Sequence, residues 1–307
     1  PGNAQRATPR NLPGQRRGCL GVRVATVKGR LFSEWAENSG EGMDEIYREI
    51  ENVIRQVGEI LLPARPEKGD IFTKEGPANF VTVYDRKIQH FLIGEFRRIL
   101  PEASYYGEEE TEGNGCADVR AGYVFFIDPI DGTTNFLFDY CHSCISVGLS
   151  ENGRMIAGFV YDPYNDRMYK GIRGMGTFLN DRKIIIENRS LSEGIAEFGC
   201  ARYNDDRVDL MMLLVKELFL RSLSIRNGGS AAIGISKVGV GSNVLYFELK
   251  LQPYDYAAAS VILEEAGGHI CQMNGEEIAL DSGCSIVAGT KRAVEEMLGL
   301  VRGLVDR

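Results

Sequence analysis

Tyr123-Val-Phe-Phe-Ile127 runs directly into Asp128-Pro-Ile-Asp131-Gly-Thr-Thr-Asn-Phe136. The continuous apolar run reads as a strand buried on both faces. Pro129 restricts Asp128 to extended backbone and fixes its own φ. Gly132 permits a tight or left-handed turn. Two acids are therefore expected to project from a rigid strand end. Thr133 and Thr134 are candidate N-caps of a following helix, whose first N–H groups would suit a phosphate.

Upstream, Ile46, Ile50, Val53, Ile54, Val57, Ile60 and Leu61 recur at three- and four-residue steps, an amphipathic helix over 43–62. Phe80 to Val83 reads as a short strand, and a second helix runs from Asp85 to Leu100, stopped by Pro101. Downstream, strands are expected at 144–149, 155–161, 168–172 and 176–179, with Asn152-Gly153 a hairpin turn. The first half is thus helices followed by a mostly antiparallel meander. The second half alternates: strands at 196–199, 244–249 and 285–288, and helices at 208–219, 230–238, 255–266 and 291–305. Gly267-Gly268 suits a helix C-terminus. Such alternation argues for a layered α/β half.

The chain of 307 residues exceeds a typical single domain. We expect an N-terminal metal-site half, 43–190, and a C-terminal α/β half, 191–307. Residues 1–42 carry Arg6, Arg10, Arg16 and Arg17 among many Gly and Pro, without periodicity, and read as a disordered extension. A net charge of −8 argues against nucleic-acid binding, which needs clustered Lys and Arg. It leaves a small phosphate substrate open, because bound cations reverse the local sign. The 7 Cys form no regular framework, so reduced thiols and a cytoplasmic protein are expected. No apolar run approaches the ~18 residues of a membrane span.

Two further acidic sites stand out. Gly107-Glu108-Glu109-Glu110 is by itself an ordinary solvated acid run, but it precedes the apolar strand. Asp255 opens a helix, where an acid is ordinarily a capping or dipole residue. Phosphate monoesters resist attack because they are anionic. Two divalent cations roughly 3.5–4 Å apart screen that charge and activate a water. Magnesium prefers carboxylates, carbonyls, waters and substrate phosphate. Asp128 and Asp131, with the Ile130 carbonyl between them, offer such oxygens. An Asp-nucleophile phosphatase would pair acids two residues apart, where this chain has Ile130.

Competing readings are bland. Cys141-His-Ser-Cys144 runs into a strand rather than opening a helix and lacks two further zinc ligands, so ordinary partly buried thiols are expected. Gly171-Ile-Arg-Gly174-Met-Gly176 reads as a hairpin, and His269 as a strand-edge residue. The 3 His residues, His90, His142 and His269, favour carboxylate over imidazole chemistry.

Five elements in order, Lys74 to Asp85, Gly107-Glu-Glu, Asp128 to Phe136, Gly229-Ser-Ala-Ala232, and Tyr254 through Gly268, make the chain from Met43 to Arg307 resemble the inositol monophosphatase family. The resemblance implies a mixed α/β fold, a layered α/β/α/β/α sandwich of the inositol monophosphatase and fructose-1,6-bisphosphatase type. It implies magnesium, two or three ions per site, held by Glu108, Asp128, the Ile130 carbonyl, Asp131 and Asp255. Glu108, Thr133 and Asp85 would be catalytic, Asp85 pairing with Thr133 and Glu108 helping to orient the water. Gly132, Thr133, Gly229, Ser230, Ala231 and Glu248 would contact substrate, and Lys74 matches a mobile-loop lysine. Ser230 stands where many members have Thr, so the hydroxyl is kept.

The implied activity is hydrolysis of a small phosphate monoester by direct in-line attack of water, with myo-inositol monophosphate first among substrates. Glu248, seven residues before Asp255 as in inositol-selective members, favours a polyol. Fructose 1,6-bisphosphate and histidinol phosphate are alternatives. Thr134-Asn135, where nucleotide-selective relatives tend to carry Lys-Gly, lowers 3′-phosphoadenosine 5′-phosphate. A catalytically silent regulatory binding protein would have lost a ligand, and every matched ligand is present. Lithium inhibition and a homodimer are further implications.

Overall fold

The structure is a computed structural model that describes residues 39–74, 80–109, 118–200 and 207–305. The expectation of disorder for residues 1–42 lies, up to residue 38, outside these, as do residues 75–79 of the motif that starts at Lys74. Residues 43–307 form one compact unit.

The described residues begin with α1 (Ser39–Leu61), whose apolar stripe Ile46, Ile50, Val53, Ile54, Val57 and Leu61 is buried. β1 (Ile71–Thr73) pairs antiparallel with β2 (Phe80–Thr82), and α2 (Val83–Ile99) follows. Thr82 caps α2: its hydroxyl accepts from Tyr84 N and Asp85 N while the Asp85 carboxylate reaches back to Thr82 N. Next come β3 (Ser104–Gly107), β4 (Tyr123–Asp131), α3 (Thr133–Leu137), β5 (Cys144–Glu151), β6 (Arg154–Asp162), β7 (Arg167–Ile172), β8 (Gly176–Leu179) and β9 (Arg182–Ile184). These strands form a seven-stranded sheet in sequence order, β3 to β9. All neighbours are antiparallel except β3 and β4, which are parallel. Asn152 and Gly153 turn the β5–β6 hairpin with φ of 50° and 78°.

The second sheet holds β10 (Ile195–Phe198), β11 (Ser224–Arg226), β12 (Leu245–Leu251), β13 (His269–Cys271) and β14 (Cys284–Gly289), in the order β11-β10-β12-β14-β13. It is mixed: β10 is parallel to β11 and β12, while β14 is antiparallel to β12 and β13. Its helices are α4 (Val208–Arg221), α5 (Ala231–Gly239), α6 (Pro253–Glu265) and α7 (Lys291–Val305). His269 lies on the edge strand, as expected, and 171–176 is the β7–β8 hairpin.

Side-chain alternation stacks these elements in five layers. On β4, Phe125 stacks on Phe96 of α2 with ring centroids 4.5 Å apart, whereas Phe126 packs with Ala257 and Val261 of α6. Phe159 of β6 meets Tyr47 of α1, and its neighbour Val160 faces the α5–α6 layer. On β12, Tyr246 faces Ile233 and Ala259, while Phe247 packs with Leu214 of α4 and Val294 of α7. The order is therefore α1/α2, seven-stranded sheet, α5/α6, five-stranded sheet, α4/α7. This is the layered α/β/α/β/α sandwich. Each large side chain buried in it contributes roughly 1.5–3 kcal/mol.

A row of glycines seats α6. Gly148, Gly158 and Gly171 are cross-strand neighbours on β5, β6 and β7. A Cβ on Gly171 would lie 2.6 Å from the Ile262 backbone, and one on Gly158 would overlap the Ala258 carbonyl. The helix backbone lies directly on the sheet, which sets the height of its first turn, and of Asp255, above the strand ends.

Three local expectations need correction. The strand does not stop at Ile127: β4 continues to Asp131, with its register to β5 interrupted between Asp128 and Asp131. Pro129 has no N–H for the ladder, and an irregularity accommodates it. The N-cap of α3 is Gly132, at φ 89° and ψ 42°, not Thr133 or Thr134. Finally, β1, β3, β9 and β11 were not anticipated. Each spans three or four residues, too few for a readable alternation.

Candidate active site

The interrupted register turns Asp128 and Asp131 to the same side of the sheet end. Both are buried, 3% and 7% exposed. Asp128 Oδ1 accepts from Ile130 N at 3.0 Å, and Thr133 Oγ1 donates to the Ile130 carbonyl at 3.1 Å. Gly132 is required here: besides its positive φ, a Cβ would sit 3.0 Å from the Gly229 carbonyl and 3.1 Å from that of His142. Asn135 Nδ2 donates to both His142 O and Gly228 O at 2.7 Å, tying α3 to the loop before α5.

Asp131 sits on the N-terminus of α5, where the helix dipole and free N–H groups favour an anion. Its carboxylate accepts from the Ser230 hydroxyl, from Ala232 N at 2.8 Å, from Ala231 N at 3.3 Å and from the buried Cys144 thiol at 3.6 Å. Asp255 comes in from α6. Its Oδ2 accepts from Gln252 N at 2.6 Å, closing a capping box, so the ordinary capping role is real. The same residue also meets the strand acids: Asp128, Asp131 and Asp255 each offer an oxygen within 4.8 Å of the others.

A second cluster lies beside it. Asp85, Glu108 and Glu109 likewise offer oxygens within 4.8 Å of one another. Lys74 Nζ bridges Glu108 Oε1 at 2.9 Å and Glu109 Oε1 at 2.5 Å. Gln89 of α2 holds the Glu109 backbone. Asp85 Oδ2 accepts from Thr82 N and Oγ1 at 2.7 and 2.6 Å. Its Oδ1 is buried and, among the described residues, has no partner.

The electrostatics are those of acids crowded in a low-dielectric space. Burial, reinforced by Glu108, Asp131 and Asp255, pushes Asp128 well up. Burial and then Asp131 do the same for Asp255. Asp131 is raised by burial against the pull of its Ser230, Ala232 and Ala231 donors. Burial pushes Asp85 up to about 7, opposed by Thr82 and aided by Glu108. Burial also raises Glu109, opposed by Lys74. For Lys74 itself, burial works downward, but Glu108 and Glu109 outweigh it and raise the ammonium.

A cavity of about 420 Å³ is lined by the three aspartates and by Glu108 of the second cluster. Glu108, Asp128, Asp131, Thr133, Ser230 and Asp255 line it, together with Glu248 and Tyr246. Burial pushes Glu248 up to about 7 against the hydrogen bond from Tyr246.

These residues fit divalent cations. The donors are all oxygens, as hard cations require. An unpartnered buried carboxylate oxygen and three mutually repelling aspartates are costly unless positive charge compensates them.

The structure therefore brings together Asp85, Glu108, Asp128, Ile130, Asp131, Asp255, Gly132, Thr133, Gly229, Ser230, Ala231 and Glu248, with Lys74 on Glu108. It does not join Asp85 to Thr133: Thr133 bonds the Ile130 carbonyl and Asp85 bonds Thr82. Ser230 and Ala231 spend their donors on Asp131, so they position that acid as well as lining the cavity. Sequence reasoning missed Glu109, whose place in an acid run looked like solvated surface. It also missed Tyr246, two residues before Glu248 on a strand, where period-2 alternation gives both the same face. Cys141 is exposed and Cys144 buried, both free, as ordinary thiols.

Comparison with known proteins gives the same picture. The model of the inositol monophosphatase family matches residues 43–305. Inositol monophosphatase 1 of Mus musculus is 31% identical over 250 residues, covering 79% of this chain and 90% of its own. A putative Nus factor SuhB of Neisseria meningitidis is 30% identical over 250 residues, covering 80% and 94%. The structure of a staphylococcal IMPase-II with inositol monophosphate bound superposes with a TM-score of 0.70 at 27% identity, over 83% of this chain and 92% of that one, and the same protein has been solved with 2′AMP bound. The five ordered sequence elements, the five-layer sandwich and the convergent carboxylates thus agree with the family match over 43–305, and the chain belongs to the inositol monophosphatase family.

Proposed function

We propose that this phosphatase hydrolyses inositol monophosphate, with magnesium as its cofactor. The observation that carries the reading is the convergence of Glu108, Asp128, Asp131 and Asp255 on one cavity, with Asp85 and Glu109 beside Glu108 and a further carboxylate, Glu248, in the cavity lining. Two or three magnesium ions held by Glu108, Asp128, the Ile130 carbonyl, Asp131 and Asp255 would neutralise the phosphoryl oxygens and activate a water for in-line attack. The chain's own groups do the rest. Asp128, a member of the first cluster, also feels Glu108 and Asp85 of the second. Asp85 Oδ1 is buried, has no partner among the described residues and lies beside Glu108, so it is placed to take a proton from the attacking water, which Glu108 orients. Asp131, braced by α5, and Asp255, braced by α6, fix the side where the alkoxide leaves. Glu248 accepts hydrogen bonds from the leaving group's hydroxyls. No phosphoenzyme is needed.

Ribonucleoside monophosphates are the second reading, favoured by the 2′AMP complex of the staphylococcal relative. Fructose 1,6-bisphosphate and histidinol phosphate remain in the same panel. A cytoplasmic location agrees with free Cys144, Cys200, Cys271 and Cys284, and no described helix is long and apolar enough to cross a membrane. Homodimer formation is supported by Phe219 and Leu220 on α4, 66% and 64% exposed, with Leu223 just beyond them. Phosphate release from inositol 1-phosphate, fructose 1,6-bisphosphate, histidinol phosphate and 2′AMP, with magnesium, with lithium added, and with chelator, tests the whole reading. Release highest for inositol 1-phosphate, abolished by chelator and inhibited by lithium, is expected. Metal-independent release, or none from any monoester, would overturn it.

A further inference from the structure

Part of the cavity lining is built from β12. Tyr246 and Glu248 are two residues apart on this strand and share a face. The Tyr246 hydroxyl donates to Glu248 Oε2 at 2.7 Å. Both side chains are buried yet line the cavity. Two glycines make the arrangement possible. A Cβ on Gly234 of α5 would lie 2.5 Å from the Tyr246 ring, so one edge of the ring packs closely against the helix backbone. A Cβ on Gly199 would overlap both the Tyr246 hydroxyl and Glu248 Oε2. The ring has no room to swing, and its hydroxyl is a fixed donor.

We propose that Tyr246 is a positioning residue for substrate choice: by holding one oxygen of Glu248, it aims the carboxylate at neighbouring hydroxyls of the leaving group. This rests on the reading of Glu248 given above. A carboxylate free to rotate meets a hydroxyl pair in many orientations. One oxygen pinned by a rigid phenol leaves the other at a defined place. A pinned acceptor also penalises a leaving group without hydroxyls less than it rewards one that has them, because Glu248 keeps the Tyr246 donor in either case. Selection is therefore for polyol or ribose monoesters over aryl ones, and Tyr246 acts only through Glu248.

The test uses the full chain with magnesium and two substrates, inositol 1-phosphate and p-nitrophenyl phosphate. Tyr246→Phe, Glu248→Gln and the double variant are compared with the parent. Tyr246→Phe keeps the ring that packs on Gly234 and removes one hydrogen bond to a charged group, a loss of about tenfold or more. The expected result is that kcat/KM for inositol 1-phosphate falls by that factor, mainly through KM, while p-nitrophenyl phosphate changes less than about twofold. In the Glu248→Gln background, Tyr246→Phe should add little further. Equal losses on both substrates, or full additivity in the double variant, would mean a merely structural tyrosine and overturn the inference. An impaired Glu248→Gln beside an unchanged Tyr246→Phe would overturn it too, and leave the role of Glu248 standing. If Glu248→Gln itself leaves the substrate preference unchanged, the reading of Glu248 falls and this inference with it.

Discussion

The Gln89 side chain makes both backbone hydrogen bonds of Glu109: Nε2 donates to Glu109 O at 2.6 Å, and Oε1 accepts from Glu109 N at 3.0 Å. It thus acts as a one-residue strand alongside the acids, just past the end of β3. Gly107 allows the approach, since a Cβ there would lie 2.5 Å from Gln89 Oε1. Gln89 stands one helical turn after Asp85, so α2 supplies both an acid and the clamp on Glu109, the neighbour of Glu108.

Replacing Gln89 by Leu keeps the bulk and removes the clamp. Groups that orient metal ligands typically matter by roughly 10–100-fold in affinity. We expect the magnesium concentration for half-maximal activity to rise at least about tenfold, with kcat recovering at excess magnesium. Calorimetric titration of the cation into the variant should show the same weakening. An unchanged binding isotherm would sink this role for Gln89.

Much of this was legible in the chain, for physical reasons. Helices α1 and α7 read cleanly because their apolar positions repeat every three to four residues, and Lys291–Val305 matches to the residue. Asp128 and Asp131 read cleanly because Pro129 and Gly132 punctuate them. Asp85 was named only through the family resemblance, and Glu108 and Asp255, singled out as acidic sites, received their roles only from it, since each has an ordinary local explanation. Asp255 does cap its helix, and only the seat of α6 on Gly148, Gly158 and Gly171 reveals its second use. Glu109 and Gln89 stayed hidden because their partners, Lys74 and each other, are distant in sequence, whereas Tyr246, two residues before Glu248 on β12, was within reach of period-2 alternation. The Asp85–Thr133 pairing carried over from the family met a local competitor, the Thr82 capping box.

The glycine row makes a stability prediction. Gly158→Ala places a methyl group against the Ala258 carbonyl, and neither backbone can yield cheaply. Overpacking of this kind costs about 3 kcal/mol. Thermal unfolding should show a Tm lower by several degrees. Gly174→Ala is the control, since a Cβ there meets nothing within 4 Å, and only its positive φ of 78° opposes the change. Equal Tm values for parent and Gly158→Ala would disprove the close seat of α6.

The crowded acids predict how stability depends on pH. Folded Asp85 and Glu248 hold their protons up to about 7, and burial raises Asp128 and Asp255 as well. In the unfolded chain such groups lose protons near about 4. The folded state therefore binds more protons across that interval, and stability falls as pH rises from about 4 to about 7. In chelator, Tm should be higher at pH 5 than at pH 8. Magnesium competes with protons for the same oxygens, so the Tm gain on adding it should be larger at pH 8 than at pH 5. A magnesium gain that is equal at both values would contradict a carboxylate site of this kind.

Asp128→Asn separates the cost of the acid cluster from its use. Asp128 feels Glu108, Asp131, Asp255 and Asp85 at once, so neutralising it relieves repulsion for all of these neighbours. The amide nitrogen can still sit in the space, and Oδ1 can still accept from Ile130 N. In chelator the variant should therefore melt at a higher temperature than the parent. With magnesium the order should reverse, because an amide binds a hard cation poorly. Losing several kcal/mol of charge stabilisation in the transition state predicts turnover lower by at least about 10³-fold. A variant that is both less stable in chelator and still active would mean that Asp128 is a structural acid, held for its turn rather than for a cation.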